Sequence, residues 1–362
     1  MADDLAPHDV VVPITGRRLA LPEGPIFALK RAADLGFELG AFRAWAGYKD
    51  LGSDAATGGL ALFQHVVSFG PSEASGRTGI HCHLAHVHIV IPTSGRGVFS
   101  YDGVVTGAVP GDVIVQHGGT VHDQFEYSYL PASPEENGKT PLSVEATPPG
   151  APPQSFGFLE LFVPRTIANV EIVPPADVTE ADEATAWGHP YHAANARYAL
   201  QTPDDPGAAH RPVAGRADLE ARDCGTWGPT GELVGTWIVR PASGAGAGGA
   251  PIALAPPGET GGLEILFMVG GSATFERPSG ERLRLRPGDC LTCTAGLAGA
   301  PSDATADMRL VLFHISARAE ALRERTPDEI ARLEALGAGI ITGREVRASG
   351  DRRPINCLAG PP

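Results

Sequence analysis

Ile80-His81-Cys82-His83-Leu84-Ala85-His86-Val87-His88 gathers four histidines into one short run, and Pro110-Gly111-Asp112 followed by His122 answers it further along. Side chains on a strand alternate between faces, so His81 and His83 point to one side and Cys82 to the other. Imidazole is the commonest protein metal ligand. The pattern reads as a metal site inside a small β-barrel, with His81, His83, His88 and His122 as the ligand set and His86 as the alternative fourth ligand. The step from His83 to His88 is odd, so a bulge or tight turn around Leu84-Ala85 is required to bring His88 inward. His86 shares the parity of His88 and is a candidate catalytic base.

The surrounding composition is that of a globular β protein. The chain has 362 residues, long enough for two domains of ordinary size or one large β architecture. Its 46 Gly and 33 Pro, with few long apolar-periodic helices, favour short strands joined by turns. A formal net charge of −14, with no Lys/Arg block, argues against nucleic acid or an anionic membrane as partner. No apolar run is long enough for a transmembrane helix, and Met1-Ala2-Asp3-Asp4 is no secretory leader, so the expected compartment is the cytoplasm. The five cysteines are odd in number and scattered, which does not make a disulfide framework. Cys290-Leu291-Thr292-Cys293 lies in strand-like sequence without a second pair, and reads as buried strand residues in preference to a redox centre.

The two halves of the chain repeat one another. Asp50-Leu51-Gly52, Thr57-Gly58 and a strand from Leu60 to Val67 are echoed by Asp223-Cys224-Gly225, Thr230-Gly231 and a strand from Leu233 to Val239. Pro110-Gly111-Asp112 is echoed by Pro287-Gly288-Asp289. A duplicated domain is therefore expected: a first unit over residues 1–170, a linker over 171–212, and a second unit over 213–362. Within the first, the Pro-rich stretch 130–155 cannot be a central strand and reads as an inserted loop, either a lid over the barrel mouth or a surface excursion. Residues 319–336 read as a short C-terminal helix, with Thr326-Pro327-Asp328-Glu329 as a start signal and Gly337 as its end.

These motifs resemble the cupin superfamily, specifically a bicupin. The family's first motif is matched by His81-x-His83, His88 and Gly95, with His88 where a Glu usually stands. The second is matched by Gly111, His117, Gly119 and His122, with His117 in place of the usual Pro. The resemblance covers most of residues 50–163 and implies two tandem jelly-roll barrels. In the second half Glu264 falls at the acidic position, but Pro257, Glu259 and Gly299 occupy the histidine positions, so that half is expected to bind no metal.

The chemistry expected of the first half follows from the ligand set. Four neutral imidazoles leave a divalent ion's charge uncompensated, making it a stronger Lewis acid that attracts an anionic or chelating substrate. Imidazole ligands suit iron, nickel, copper and zinc, while manganese prefers more oxygen, and the ligand set by itself does not choose among them; iron, first among these, is what the family resemblance implies. The layout is similar to ring-cleaving dioxygenases of the gentisate and salicylate type, which implies Fe(II) at His81, His83 and His122 and an aromatic hydroxy acid or diketone-like substrate. The competing readings are an oxygen-independent isomerase, cyclase or decarboxylase, with His86 or Glu126 moving the proton, and a non-catalytic small-molecule-binding cupin. His65, Tyr101 and Gln124 are candidate pocket residues for a small-molecule substrate, His65 and His117 being the weaker histidines. A homodimer is implied by family analogy alone.

Overall fold

The computed structural model describes residues 23–39, 45–70, 81–83, 85–101, 104–117, 120, 122–130, 133–148, 150–164, 169–171, 198–205, 207–243, 250–256, 258–259, 261–277 and 279–321. In chain order, β1 (Phe27–Lys30), β2 (Glu38–Leu39), β3 (Ala46–Asp50) and β4 (Leu62–Ser68) precede the histidine-bearing β5 (His81–His83) and β6 (Val87–Ser94). There follow β7 (Gly97–Tyr101), β8 (Val104–Ala108), β9 (Val113–His117), β10 (His122–Tyr127), β11 (Gly157–Val163), β12 (Asn169–Glu171) and β13 (Tyr198–Gln201). The second half contributes β14 (Arg211–Val213), β15 (Arg216–Asp223), β16 (Val234–Pro241), β17 (Leu263–Gly270), β18 (Ala273–Glu276), β19 (Arg282–Leu285), β20 (Cys290–Thr294) and β21 (Arg309–Ile315).

In the first half a seven-stranded sheet, β13-β9-β6-β11-β4-β3-β2, opposes a five-stranded one, β12-β5-β10-β7-β8. Val66, Val90, Ile114 and Phe158 from the first, with Trp45 just before β3, meet Phe99 and Tyr101 from the second in one buried interior. The second half has a matching seven-stranded sheet, β1-β20-β17-β21-β16-β15-β14. Among the described residues its opposing wall is only the β18-β19 hairpin, which packs Phe275 and Leu285 against Leu266, Leu310 and Trp237. The chain is thus an all-β tandem of two similar halves, and the wall that carries β5 and β10 in the first has no counterpart among the described strands of the second.

The repeat extends to single hydrogen bonds. Gly52 N donates to Asp50 Oδ1 at 2.7 Å and Gly225 N to Asp223 Oδ1 at 2.8 Å. Thr57 Oγ1 accepts from Ala61 N, and Thr230 Oγ1 from Val234 N, each at 3.0 Å. In the two Pro-Gly-Asp turns, Val109 N donates to Asp112 and Arg286 N to Asp289, again both at 3.0 Å. Gly111 and Gly288 take φ of +101° and +84°, a left-handed conformation that explains glycine at this place in both copies.

One strand crosses between the halves and another joins the first half from the connecting segment. β1, from the start of the chain, pairs with β20 in the second half's sheet, and Arg31 donates to Asp289 at 2.7 Å beside it. β13, within the segment read as a linker, pairs with β9 of the first half. Each covers an edge that would otherwise present unpaired backbone groups. Residues 172–197 of that segment lie outside the described residues. So does the expected helix beyond Ala321; Ala317–Ala321 itself forms a 3-10 turn.

The seam between the two large sheets is the principal core. Alternation sends Phe63, Ile89, Ile91, Leu159 and Leu161 to the face opposite the barrel interior, where they meet Ile265, Phe267, Val311 and Phe313. Cys290 belongs to this seam and Cys293 to the second interior, so the C-x-x-C pair sits on opposite faces of β20. Both thiols are buried and free, with burial pushing their ionisation upward, as suits inert packing residues.

The Pro-rich insertion is a strap across this seam, not a lid. Val144 is buried in the seam core, Ser143 N donates to Thr93 O at 2.8 Å, and Asn137 Nδ2 donates to Ser68 O at 3.1 Å. Glu145 accepts from Arg240 at 3.0 Å and Arg309 at 2.7 Å, both in the second half. Burial pulls the Glu145 carboxyl upward, but the hydrogen bonds and charges of Arg309 and Arg240 outweigh it and hold the group below the usual carboxylate range. Because the folded-state value is depressed, its stabilisation is present above the unfolded carboxylate pKa of about 4.3 and is lost as pH falls through the folded value. Glu145→Gln is expected to cost about 1 kcal/mol near neutrality, a figure discounted for partial exposure, and nothing at about pH 3. Urea midpoints of the two proteins that coincide at neutral pH would count against this strap.

Candidate metal centre

The corner between β5 and β6 places the histidines. The chain leaves the five-stranded sheet after His83 and enters the seven-stranded one at Val87, with the His86 amide donating to Val163 O at 2.9 Å. The odd step from His83 to His88 is therefore taken up by a change of sheet. His86 is buried at that corner.

His122 Nδ1 lies 2.9 Å from Thr120 O; a carbonyl only accepts, so Nδ1 carries the proton and Nε2 is left as a lone pair. That Nε2 lies 3.2 Å from His83 Nε2. Imidazole nitrogens bind a transition metal at about 2.0–2.1 Å, so two of them about 3.2 Å apart subtend about 100° at a shared ion. In the protein alone the same contact is an N–H···N hydrogen bond, with a proton where a cation would sit. The backbone of His81 is directly across from His122 in the β5–β10 ladder; its side chain lies outside the described residues. Among the described residues no group of three or more His, Cys, Asp or Glu side chains closes into a metal cage. The donor chemistry nonetheless fits an ion: two converging imidazole nitrogens, one held in its tautomer by a carbonyl.

His88 stands beside His83, with its Nε2 engaged by a carboxylate. Its ring stacks on Phe162, with centroids 4.0 Å apart and planes 11° from parallel, and stands nearly perpendicular to His83 with centroids 4.8 Å apart. Its Nε2 donates to Glu160 Oε2 at 3.2 Å, while Gln64 Nε2 holds Oε1 of the same carboxylate through a short hydrogen bond. His88 Nδ1 is buried without a hydrogen-bond partner among the described residues. Glu160 on β11 and Gln64 on β4 are cross-strand neighbours facing the barrel interior, both buried. The site is therefore not free of carboxylate, which corrects the expectation of an uncompensated all-imidazole surround. The signal for Glu160 was one charge in the apolar run Phe158-Leu159-Glu160-Leu161-Phe162, since a buried acid in a core strand requires a partner. Gln116, opposite His88 on β9, is a second residue the motifs did not mark; it is buried, and its Oε1 lacks a partner among the described residues.

The remaining candidates divide. Tyr101 is fully buried with its ring 5.9 Å from that of His122, and Gln124, two residues after His122 on β10, is also buried. Glu126 lies on β10 beyond a register shift, and its side chain is outside the described residues. His117 ends β9, half-buried, its carbonyl accepting from Thr120 N at 3.1 Å. His65 does not join the cluster: it neighbours Gln64 on β4 and so faces the seam, which corrects its assignment to the same pocket. In the second half Glu264 faces His314 across β17 and β21, burial raising the acid and lowering the imidazole.

No protein-family model matches the chain. No curated protein matches it either. Among solved structures, a putative glyoxylate-induced protein from Pseudomonas aeruginosa aligns at 11% identity and TM-score 0.44, covering 83% of this chain and 91% of that one. A vicilin from Solanum melongena aligns at 12% identity and TM-score 0.45, covering 79% and 83%. The 7S globulin of Momordica charantia aligns at 14% identity and TM-score 0.42, covering 80% and 84%. Likenesses of this order carry no weight on activity. The strands and their pairing define the class: an all-β tandem of two like halves, the arrangement that the cupin resemblance of the motifs implies, with the described histidine cluster in one half.

Proposed function

We propose that the chain is a metal-dependent oxygenase in which His81, His83 and His122 hold one divalent ion, iron first among the candidates, and an aromatic hydroxy acid or other chelating enolisable molecule is the substrate. The observation that carries the reading is the placement of His88: its Nε2 is engaged by Glu160, while the His83 and His122 nitrogens converge on each other. A three-imidazole set leaves positions for a bidentate substrate and oxygen that a fourth ligand would fill. The ion, when bound, supplies Lewis acidity toward the substrate oxygens and, as iron, reactivity toward oxygen.

The chain's own residues orient and shuttle protons. Glu160, fixed by Gln64, holds the His88 ring, and Phe162 stacks beneath it, so His88 is set to take a proton from the substrate hydroxyl. Tyr101 and Phe99 shield the His122 side from water. The same His88–Glu160 pair favours a second reading, an oxygen-independent isomerase that moves a proton beside a Lewis acid.

One experiment separates them. Iron-reconstituted protein is mixed with 2,5-dihydroxybenzoate and related hydroxy acids in an oxygen electrode and, in parallel, anaerobically. Oxygen uptake matched to substrate loss, with none lost anaerobically, is expected; equal turnover without oxygen removes the oxygenase reading and leaves the isomerase.

A further inference from the structure

We propose that the mouth of the second half's interior is a ligand site for a small organic cation, a primary ammonium. Glu264 pairs with Cys293 on β20 and with His314 on β21, so the three share one row of the sheet. Alternation sends Leu266, Leu291 and Leu312 from the same strands to the same face, which is the second interior. Glu259, on the loop before β17, places Oε2 3.9 Å from His314 Nε2. The Trp237 ring walls the row at its other side, lying against Gly235, the residue opposite His314 on β16. None of these side chains belongs to the histidine cluster of the first half, and the proposal stands whether or not that cluster binds a metal.

The repeat shows what is unusual in this row. The Thr57–Ala61 and Thr230–Val234 hydrogen bonds are equivalent, so Gly235 corresponds to Leu62, and the strand register then sets His314 at the place of Phe162. Glu264 correspondingly takes the place of His88. In the first half Phe162 is an apolar ring stacked on His88. In the second, that place holds an imidazole only 2% exposed, with neither ring nitrogen hydrogen-bonded among the described residues. Packing alone favours the apolar ring, because a buried polar group left unmatched is costly. The unmatched imidazole therefore marks a site that is completed by something bound.

Charge defines the class of ligand. Glu264 is half-buried, and its hydrogen bond is from the Gly296 amide to Oε2 at 3.3 Å. Glu259 is 15% exposed, with His314 as its nearest charged or titratable neighbour among the described ion pairs. No Lys or Arg side chain is paired with either carboxylate among the described residues. Burial lowers the His314 pKa, so the ring is neutral at physiological pH and supplies no counter-charge. Two acids without a cation call for one. Glu259, Glu264, Cys293 and His314 are all described and do not close into a metal cage, whereas an ammonium brings three N–H donors and needs no fixed coordination sphere. Both carboxylates reach solvent, so the ligand meets them without touching the buried ring. Seated between them, it draws the Glu259 loop inward, and His314 Nε2 then donates to Oε2 across a gap that is about 1 Å too long without it.

The probe is n-butylammonium, with n-butanol as its neutral counterpart, titrated calorimetrically into the full chain. The ammonium is expected to bind at least about tenfold more tightly than the alcohol. Glu264→Gln and Glu259→Gln keep size and remove charge, and each is expected to weaken the ammonium about tenfold or more. Glu259 lies on a partly exposed loop, so its substitution leaves the fold intact. His314→Phe, which installs the ring of the sister half, is expected to weaken binding about threefold or more, and His83→Ala to leave it unchanged. Equal affinity for ammonium and alcohol, affinity unmoved by both glutamine substitutions, or no heat up to about 10 mM probe would overturn the site. Binding lost in His83→Ala would do the same by placing the ammonium at the histidine cluster. Two equivalents of Zn(II) on the wild-type chain, one of them lost in Glu264→Gln, would make the mouth a metal site and overturn the organic cation. Failure of the oxygen experiment, by contrast, leaves these outcomes untouched.

Discussion

Phe63→Ala is expected to destabilise the whole chain by about 3–5 kcal/mol. Phe63 is fully buried and meets Phe267 and Phe313 edge-to-face, with centroids 5.7 Å and 5.2 Å apart, so one ring from the first half keys into two from the second. Truncation removes its transfer free energy and leaves a cavity on a seam where both walls are sheets, which relax poorly because their backbones are fixed by ladder hydrogen bonds. Against a typical net stability of about 5–15 kcal/mol, the loss takes a large share of the whole. Because β1 crosses into the second half's sheet and both halves share the seam core, they are expected to unfold together, giving one shifted urea transition followed by both fluorescence and circular dichroism. A loss under about 1 kcal/mol, or two separated transitions, would show that the seam is a loose contact between independent domains.

The parts of this architecture legible in the sequence are those governed by local rules. The Pro-Gly-Asp turns, the Asp-x-Gly corners and the alternation on β4, β6 and β11 depend on neighbours in the chain, and the repeat followed from them. Strand exchange depends on which distant edge is vacant, so Phe27–Lys30 carried no mark of its pairing with β20. The strap was similarly hidden, because the meaning of Glu145 lies in Arg240 and Arg309, far off in sequence. At the site, His83 and His122 came from spacing, which a strand converts directly into direction. Glu160 was not found, since its role arises from register between β11, β4 and β6. The misplacement of His65 had a local cause: parity on β4 tells which residues share a face, but not which face is the barrel interior.

His122→Ala and His88→Ala are expected to part company, and the difference tests the reading of the centre. His122 offers Nε2 toward His83 Nε2 with its other nitrogen tied to Thr120 O, the arrangement of a ligand. His88 is tied through Nε2 to Glu160, the arrangement of a proton carrier. Removing His122 is therefore expected to lower bound iron from near one equivalent to below about a tenth, and activity with it. Removing His88 is expected to leave metal content unchanged while turnover falls by about 10²–10⁴. Glu160→Gln keeps the shape but not the carboxylate, and is expected to follow His88→Ala in lowering turnover with metal retained, by a smaller factor because the imidazole is still present. Elemental analysis of each purified variant, alongside its oxygen uptake, reads both quantities. If His88→Ala loses metal as fully as His122→Ala does, His88 closes the coordination sphere, the positions needed by substrate and oxygen are not open, and the protein is a metal-stabilised scaffold in place of an oxygenase.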